Sequence, residues 1–351
     1  MRKKKTHSPY ATLFDVAQKA DVSISTVSRV VNNLDKVEEY TRQRVQGALQ
    51  ELNYKPNISA RGLSMRRHRM IQMYYQVGKF PLNFETNWFR DTINGAGEYF
   101  RSKNYNLMIN MLVGLIDAEE FYKQAFYDGS LEGILLVAPH LKDKDILKMA
   151  SQRIPIVLMG HRVPDPSVSY VDTDNRRAVG EAVEHLVELG HKRIACLAGP
   201  IDLNRNAQDR LAGFKDALQK HGLDFPENYL VKSNFFSRDV GREGMAQLLT
   251  LKERPTAVVC ANDLIALGAW DQAQKEGLQI GKDISLVGYD DIPAASAQYS
   301  LTTIRQDFLG LSTKAAELLI EKIENPFDKT VRQILIPSPV IIRKSTGLAP
   351  A

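Results

Sequence analysis

The chain has 351 residues, 44% hydrophobic and 25% charged, with a formal net charge of +5 at pH 7; this is the composition of a soluble globular protein with length for two or three domains. No run of about 18 apolar residues occurs. The basic Arg2-Lys3-Lys4-Lys5 leads into polar His7-Ser8-Pro9 rather than an apolar stretch, so neither a membrane span nor a secretory signal is expected and the cytoplasm is the default.

Residues 1–69 hold 14 Lys and Arg against 6 Asp and Glu, net +8, while the rest hold 32 against 35, net −3. Positive charge gathered in a small N-terminal segment suits phosphate neutralisation, which makes double-stranded DNA the expected partner of that segment alone. The pattern of the segment agrees. Leu13, Val16, Ala17 and Ala20 recur at helical spacing, with Thr12 as N-cap and Asp15 in the first turn. Asp21-Val22-Ser23 breaks that helix, Val22 faces inward, and Ser23 caps a second helix from Ile24 to about Val31 that buries Val27, Val30 and Val31. Its other face carries Ile24, Ser25, Ser28, Arg29 and Asn32, small polar groups and an Arg of the kind a helix-turn-helix reader brings to a major groove. Thr12, Ser23, Thr26, Asn32 and Tyr54 are expected on phosphates; Ile24, Ser25 and Arg29 are expected on base edges, with Arg29 suited to guanine and Ile24 to a thymine methyl.

A third helix from about Glu39 to Leu52 completes a small domain, placed at residues 1–56. Pro56 ends it by disfavouring helix at Lys55. Residues 57–69 hold about two turns of potential helix, too short to persist alone in water.

From Met70 onward, short apolar runs alternate with helical stretches of about 12–16 residues, the signature of α/β architecture with doubly wound parallel sheets and crossover helices on both faces. Residues 70–351 are more naturally two such sheets than one. Cys196 and Cys260 lie in the apolar runs IACLAG and AVVCAN and read as buried free thiols, with no disulfide and no metal. Where strands end, Asn262 and Asp263 follow AVVCA, and Asp290 and Asp291 follow SLVGY. With Arg210, taken to open a helix after Ile194–Gly199, these groups both donate and accept, as vicinal sugar hydroxyls require. Phe235 or Phe236 and Tyr170 could stack on a pyranose face.

The stretches DVAQKADVSISTVSRVVNN, ELNYKPNISARGLS, GLQIGKDISLVGYDDI and LTTIRQDF, in that order, resemble the lactose/galactose repressor family of bacterial transcription regulators over nearly the whole chain. The resemblance implies a homodimer on a palindromic operator, with paired hinge helices in the minor groove across Asn57, Ala60 and Leu63. Ala60 would allow close approach and Leu63 would act as the wedge. It also implies two periplasmic-binding-protein-like lobes, about 70–170 with 306–337 and about 171–305 with 338–351, the chain crossing near Tyr170, Arg305 and Pro337. A small-molecule effector would bind between them on Arg210, Asn262 and Asp290, with Phe236, Gln306 and Asn206 also matching. A mono- or oligosaccharide is expected; a nucleobase, or a co-repressor mode of action, is the alternative, and an exported sugar-binding transport component is opposed by the basic head. The first lobe departs from the family in a longer aromatic YYQVGKFPLNFETNWFRD and in Gly160.

No enzyme is expected and no cofactor is implied. Asp290 and Asp291 are neighbours on a strand and point oppositely, so they do not make an acid–base pair about one bond, and neither a nucleophile elbow nor a phosphate loop occurs. The chain stops at GLAPA without apolar heptads, so a dimer rather than a coiled-coil tetramer is expected.

Overall fold

The computed structural model describes residues 11–31, 37–54, 69–77, 87–113, 131–138, 143–151, 154–202 and 204–350. Asn32, Asn57, Ala60 and Leu63, and most of the long aromatic segment before Trp88, lie outside these residues. The chain divides into two compact units, residues 1–68 and 69–351.

The first unit contains α1 (Leu13–Ala20), α2 (Ile24–Val31) and α3 (Glu39–Glu51). Thr12 forms a full capping box with Asp15, so each side chain satisfies a backbone N–H that the first turn leaves orphaned. Asp21 ends α1 in the left-handed region, with φ 48°. Ser23 caps α2 by accepting from the Thr26 N–H at 3.2 Å. Val16, Ala17, Ala20, Val27, Val30, Val45 and Ala48 form the buried core, with Leu13, Val22, Val31 and Tyr54 packed around it. Arg44 of α3 donates to the Ala20 carbonyl at 2.6 Å, tying the C-terminal end of α1 to the third helix.

The second unit begins with β1 (Met70–Val77), α4 (Trp88–Ser102), β2 (Asn106–Val113), β3 (Leu131–Val137), α5 (Asp143–Ala150), β4 (Ile156–Met159) and β5 (Tyr170–Thr173). It continues with α6 (Asn175–Glu188), β6 (Ile194–Leu197), α7 (Arg205–Lys220), β7 (Leu230–Val231), α8 (Arg238–Leu249), β8 (Ala257–Cys260), α9 (Asp263–Lys275), β9 (Ser285–Asp290) and the short α10 (Pro293–Ala297). The chain closes with β10 (Thr302–Arg305), α11 (Phe308–Glu324), β11 (Gln333–Ile336) and β12 (Val340–Ile341).

Two six-stranded sheets result, ordered β11-β5-β4-β3-β1-β2 and β12-β10-β9-β8-β6-β7. The first is parallel throughout, and in the second only β12 runs antiparallel, on β10. Both are the doubly wound α/β sheets expected from the alternating pattern, with apolar clusters on both faces.

The chain passes between sheets three times: Thr173 to Asn175, Arg305 to Phe308, and Ile336 to Val340. The first passage falls later than the expected boundary at Tyr170. Tyr170–Thr173 pairs with β4 and β11, and this short strand carries polar Asp172 and Thr173, which conceal it from hydropathy. Arg210 does not open its helix but lies in the second turn of α7; the capped start at Asn204 is masked by the polar first turn RNAQD. Cys196 and Cys260 are buried free thiols on adjacent strands, in the clusters on opposite faces of the second sheet.

The C-terminal tail is part of the second sheet's structure. His191 is buried, with Nδ1 2.9 Å from Thr256 Oγ1 and Nε2 3.1 Å from the Gly347 carbonyl oxygen, and the buried Ser345 accepts from the Thr302 N–H at 2.8 Å. Among the described residues, no helix is long and apolar enough to cross a membrane.

Candidate DNA interface and effector cleft

In the first unit, burying the Val27 and Val30 face of α2 leaves the opposite face outward. Ile24 is 48% exposed, Ser25 and Arg29 are exposed, and Thr26 and Ser28 are half-buried. The Ser23 hydroxyl lies 2.7 Å from that of Ser25 and 2.8 Å from that of Thr26, so three hydroxyls cluster at the positive end of α2. Thr12 stands exposed at the start of α1, and Tyr54 is half-buried against the core. Phe14 of α1, 59% exposed, lines a shallow hollow with Gln18, Asp21 and Ile24.

In the second unit, a cleft of about 260 Å³ opens at the carboxyl ends of the strands, the position ligands take in open α/β sheets. One wall is apolar and built on the first sheet: Trp88, Val137, Ala138, Met159, Phe308 and Leu311. The other brings Asn204, Asn206, Arg210, Phe236, Asn262 and Asp290 from the second sheet, with Gln306 from the second crossing. Six of the seven expected effector residues therefore meet in one place. Tyr170 does not. It begins β5, at the end away from the cleft, and packs among Tyr74, Leu136, Leu158 and Val168. Of the two candidate phenylalanines, Phe236 lines the cleft; its ring lies so near Gly199 that a Cβ there would sit 2.8 Å from Cε1.

The polar wall is rigidly held. Arg210, 8% exposed, donates from Nε to Asn175 Oδ1 at 2.8 Å and from Nη1 to the Ala261 carbonyl at 2.5 Å. Its guanidinium lies 3.6 Å from the centre of the Tyr289 ring, whose hydroxyl donates to the same Asn175 oxygen at 2.9 Å. Asn262 caps α9, accepting from the Ile265 N–H at 3.0 Å, and lines the cleft as well. Asp290 sits at φ 114°, a costly conformation for a residue with a side chain. Next to it Asp291 pairs with Arg305 at 2.7 Å and Arg343 at 2.6 Å. Burial pushes the Asp290 carboxyl up to about 6, with Arg210 and Gln306 opposing the rise.

Polar contacts also bridge the lobes. Arg162, after β4, pairs with Asp209 of α7 at 2.6 Å, and Asn206 Nδ2 donates to the Gly160 carbonyl at 3.0 Å while its buried Oδ1 has no hydrogen-bond partner among the described residues. Asp172, at the end of β5, accepts from the Thr173 N–H at 2.7 Å through Oδ1, and its buried Oδ2 is without such a partner. Burial raises its carboxyl to about 7 even with Arg162 and Arg210 nearby. These long-range partners left no local mark in the sequence.

A helix-turn-helix unit joined to two parallel-sheet lobes with a cleft between them defines a class, that of DNA-binding regulators with a small-molecule-binding domain. Residues 12–57 match the model for bacterial regulatory proteins of the lacI family, and residues 183–346 match the periplasmic binding protein-like domain. The chain is 33% identical to the HTH-type transcriptional repressor PurR of Vibrio atlanticus over 341 residues, covering 96% of this chain and 98% of that one. It superposes on the lac repressor dimer bound to operator and the anti-inducer ONPF with a TM-score of 0.85, 29% identity, and 96% and 99% of the two chains covered. Against the complex of the transcriptional regulator CelR with cellobiose the TM-score is 0.70 at 28% identity, with 95% and 99% covered. The protein belongs to the lacI family and is a DNA-binding transcriptional regulator.

Proposed function

We propose that the protein is a cytoplasmic, homodimeric repressor of carbohydrate-use genes, released from a palindromic operator by a sugar-like effector held between the lobes. The observation that carries the effector reading is the meeting of Arg210, Asn262, Asp290, Gln306 and Asn206 on one wall of a cleft whose other wall is aromatic and aliphatic. Donors and acceptors in alternation meet hydroxyls, and rings and methyl groups meet the C–H face of a pyranose. The cellobiose complex of CelR, which shares this fold, supports the reading. On the DNA side, Ile24, Ser25 and Arg29 read bases, while Thr12, Ser23, Thr26 and Tyr54 hold phosphates. A hinge across Asn57, Ala60 and Leu63 couples the two functions: the effector favours one lobe arrangement by about 1–3 kcal/mol, and operator affinity changes accordingly.

Thermal-shift screening of the full chain against hexoses, disaccharides, nucleosides and purine bases tests this. A ligand at 100 times its Kd adds about 2.7 kcal/mol. A saccharide that raises Tm and loosens a palindromic DNA complex bears the reading out. A shift with a purine or nucleoside alone replaces the sugar, and tighter DNA binding on adding the hit makes the ligand a co-repressor.

A further inference from the structure

We propose that Thr173 is the positioning residue whose hydroxyl holds the Gln306 amide with its NH2 on Asp290. The inference rests on the cleft being the effector site, and it concerns how the polar wall is held before anything binds. Thr173 is fully buried at the carboxyl end of β5, the last residue of the first sheet before the chain first crosses. Two hydrogen-bonded chains start there, and each ends on a cleft group.

In one, the Thr173 hydroxyl donates to Gln306 Oε1 at 3.0 Å, and Gln306 Nε2 donates to Asp290 Oδ1 at 2.7 Å. A side-chain amide has one accepting end and one donating end. The carboxylate takes the NH2 end, and the hydroxyl, donating to the oxygen, holds the amide in that orientation. In the other, the Thr173 carbonyl accepts from Asn175 Nδ2 at 3.1 Å, which turns Asn175 Oδ1 toward Arg210 Nε at 2.8 Å and the Tyr289 hydroxyl at 2.9 Å. Reversed, this second amide would set its NH2 against a guanidinium. The second chain uses only the Thr173 backbone, so it is through Gln306 that the Thr173 side chain acts, holding a donor on Asp290 at the edge of the cleft. Valine would fill the same space on the same strand, yet leave Gln306 Oε1 without its donor, and the amide free to turn.

The test is a carboxyl 13C NMR titration of Asp290 in the full-length, ligand-free protein. Among the described residues, the charged and titratable groups that act on Asp290 are Arg210, the Tyr289 hydroxyl and the buried Asp263, with the Gln306 amide hydrogen-bonded to it. The wild-type midpoint is expected at about 6. Thr173→Val is expected to move it upward, toward the midpoint of Gln306→Met, because the carboxylate loses its held donor; Thr173→Ser restores the wild-type value. Thr173→Ala removes the hydroxyl without requiring the larger side chain to fit. A hydroxyl-deleted variant that keeps the wild-type midpoint while Gln306→Met shifts overturns the proposal, as does an unchanged midpoint in Gln306→Met. No ligand is added, so failure of every saccharide to bind would remove the effector reading without altering this outcome.

Discussion

In the three-helix unit the residues proposed to meet DNA stand on an open helix face, whereas in the two-lobed unit those proposed to meet a small molecule are bonded to one another beforehand. Arg29 and Arg210 make the contrast concrete. The first is exposed on α2; the second is 8% exposed and held by Asn175, Ala261 and Tyr289. An exposed reader spends side-chain freedom on binding and can be exchanged without harm to the fold. A buried one has lost that freedom on folding, so its removal is felt in stability and in recognition together.

Substitution at the two arginines should separate these cases. Arg210→Ala, the largest effect, leaves the Ala261 carbonyl unpaired; we expect about 2 kcal/mol of lost stability in chemical denaturation and effector binding weakened about 10–100-fold in calorimetry. Loss of binding with unchanged stability would show that Arg210 is not preorganised. Arg29→Ala should weaken operator binding by about 1–3 kcal/mol in fluorescence anisotropy while changing unfolding by no more than about 0.5 kcal/mol; a marked fall in Tm would end the contrast.

A smaller effect tests the cost of the buried polar wall. The Asp172 carboxyl is raised to about 7, so the folded state holds a proton that the unfolded chain has released. Its contribution therefore favours folding at low pH and is lost as pH rises from about 4 through about 7. Asp172→Asn should melt about 2–6 °C above wild type at pH 8, the gap narrowing as pH falls and closing below about pH 4. Thr12→Ala should cost the three-helix unit about 1 kcal/mol through its lost capping box, the smallest change expected here.

The sequence disclosed features that repeat at short range. The apolar stripes of α1 and α2, the cap at Ser23 and the strand ends at Asn262 and Asp290 follow from spacing and turn chemistry within a few residues. Long-range pairings left no such trace. Asn175 serves Arg210 and Tyr289, 35 and 114 positions away, and Arg162 meets Asp209 across 47. The short strand at Tyr170–Thr173 is obscured because Asp172 and Thr173 break its hydropathy pattern and Thr173 finds its partner, Gln306, 133 positions on. With the strand hidden, its direction is hidden too, and Tyr170 reads as a cleft residue.

The three crossings bear on how the molecule is made. The first sheet lacks β11 and its covering helix α11 until residue 336 is available, and the second lacks β12 and the Ser345 anchor until residue 345 follows. On the ribosome, then, the head with its three helices can acquire its structure early, while both lobes wait and close at nearly the same moment. A pause or premature stop late in translation would spare the DNA-reading head and yield a binder without a sensor.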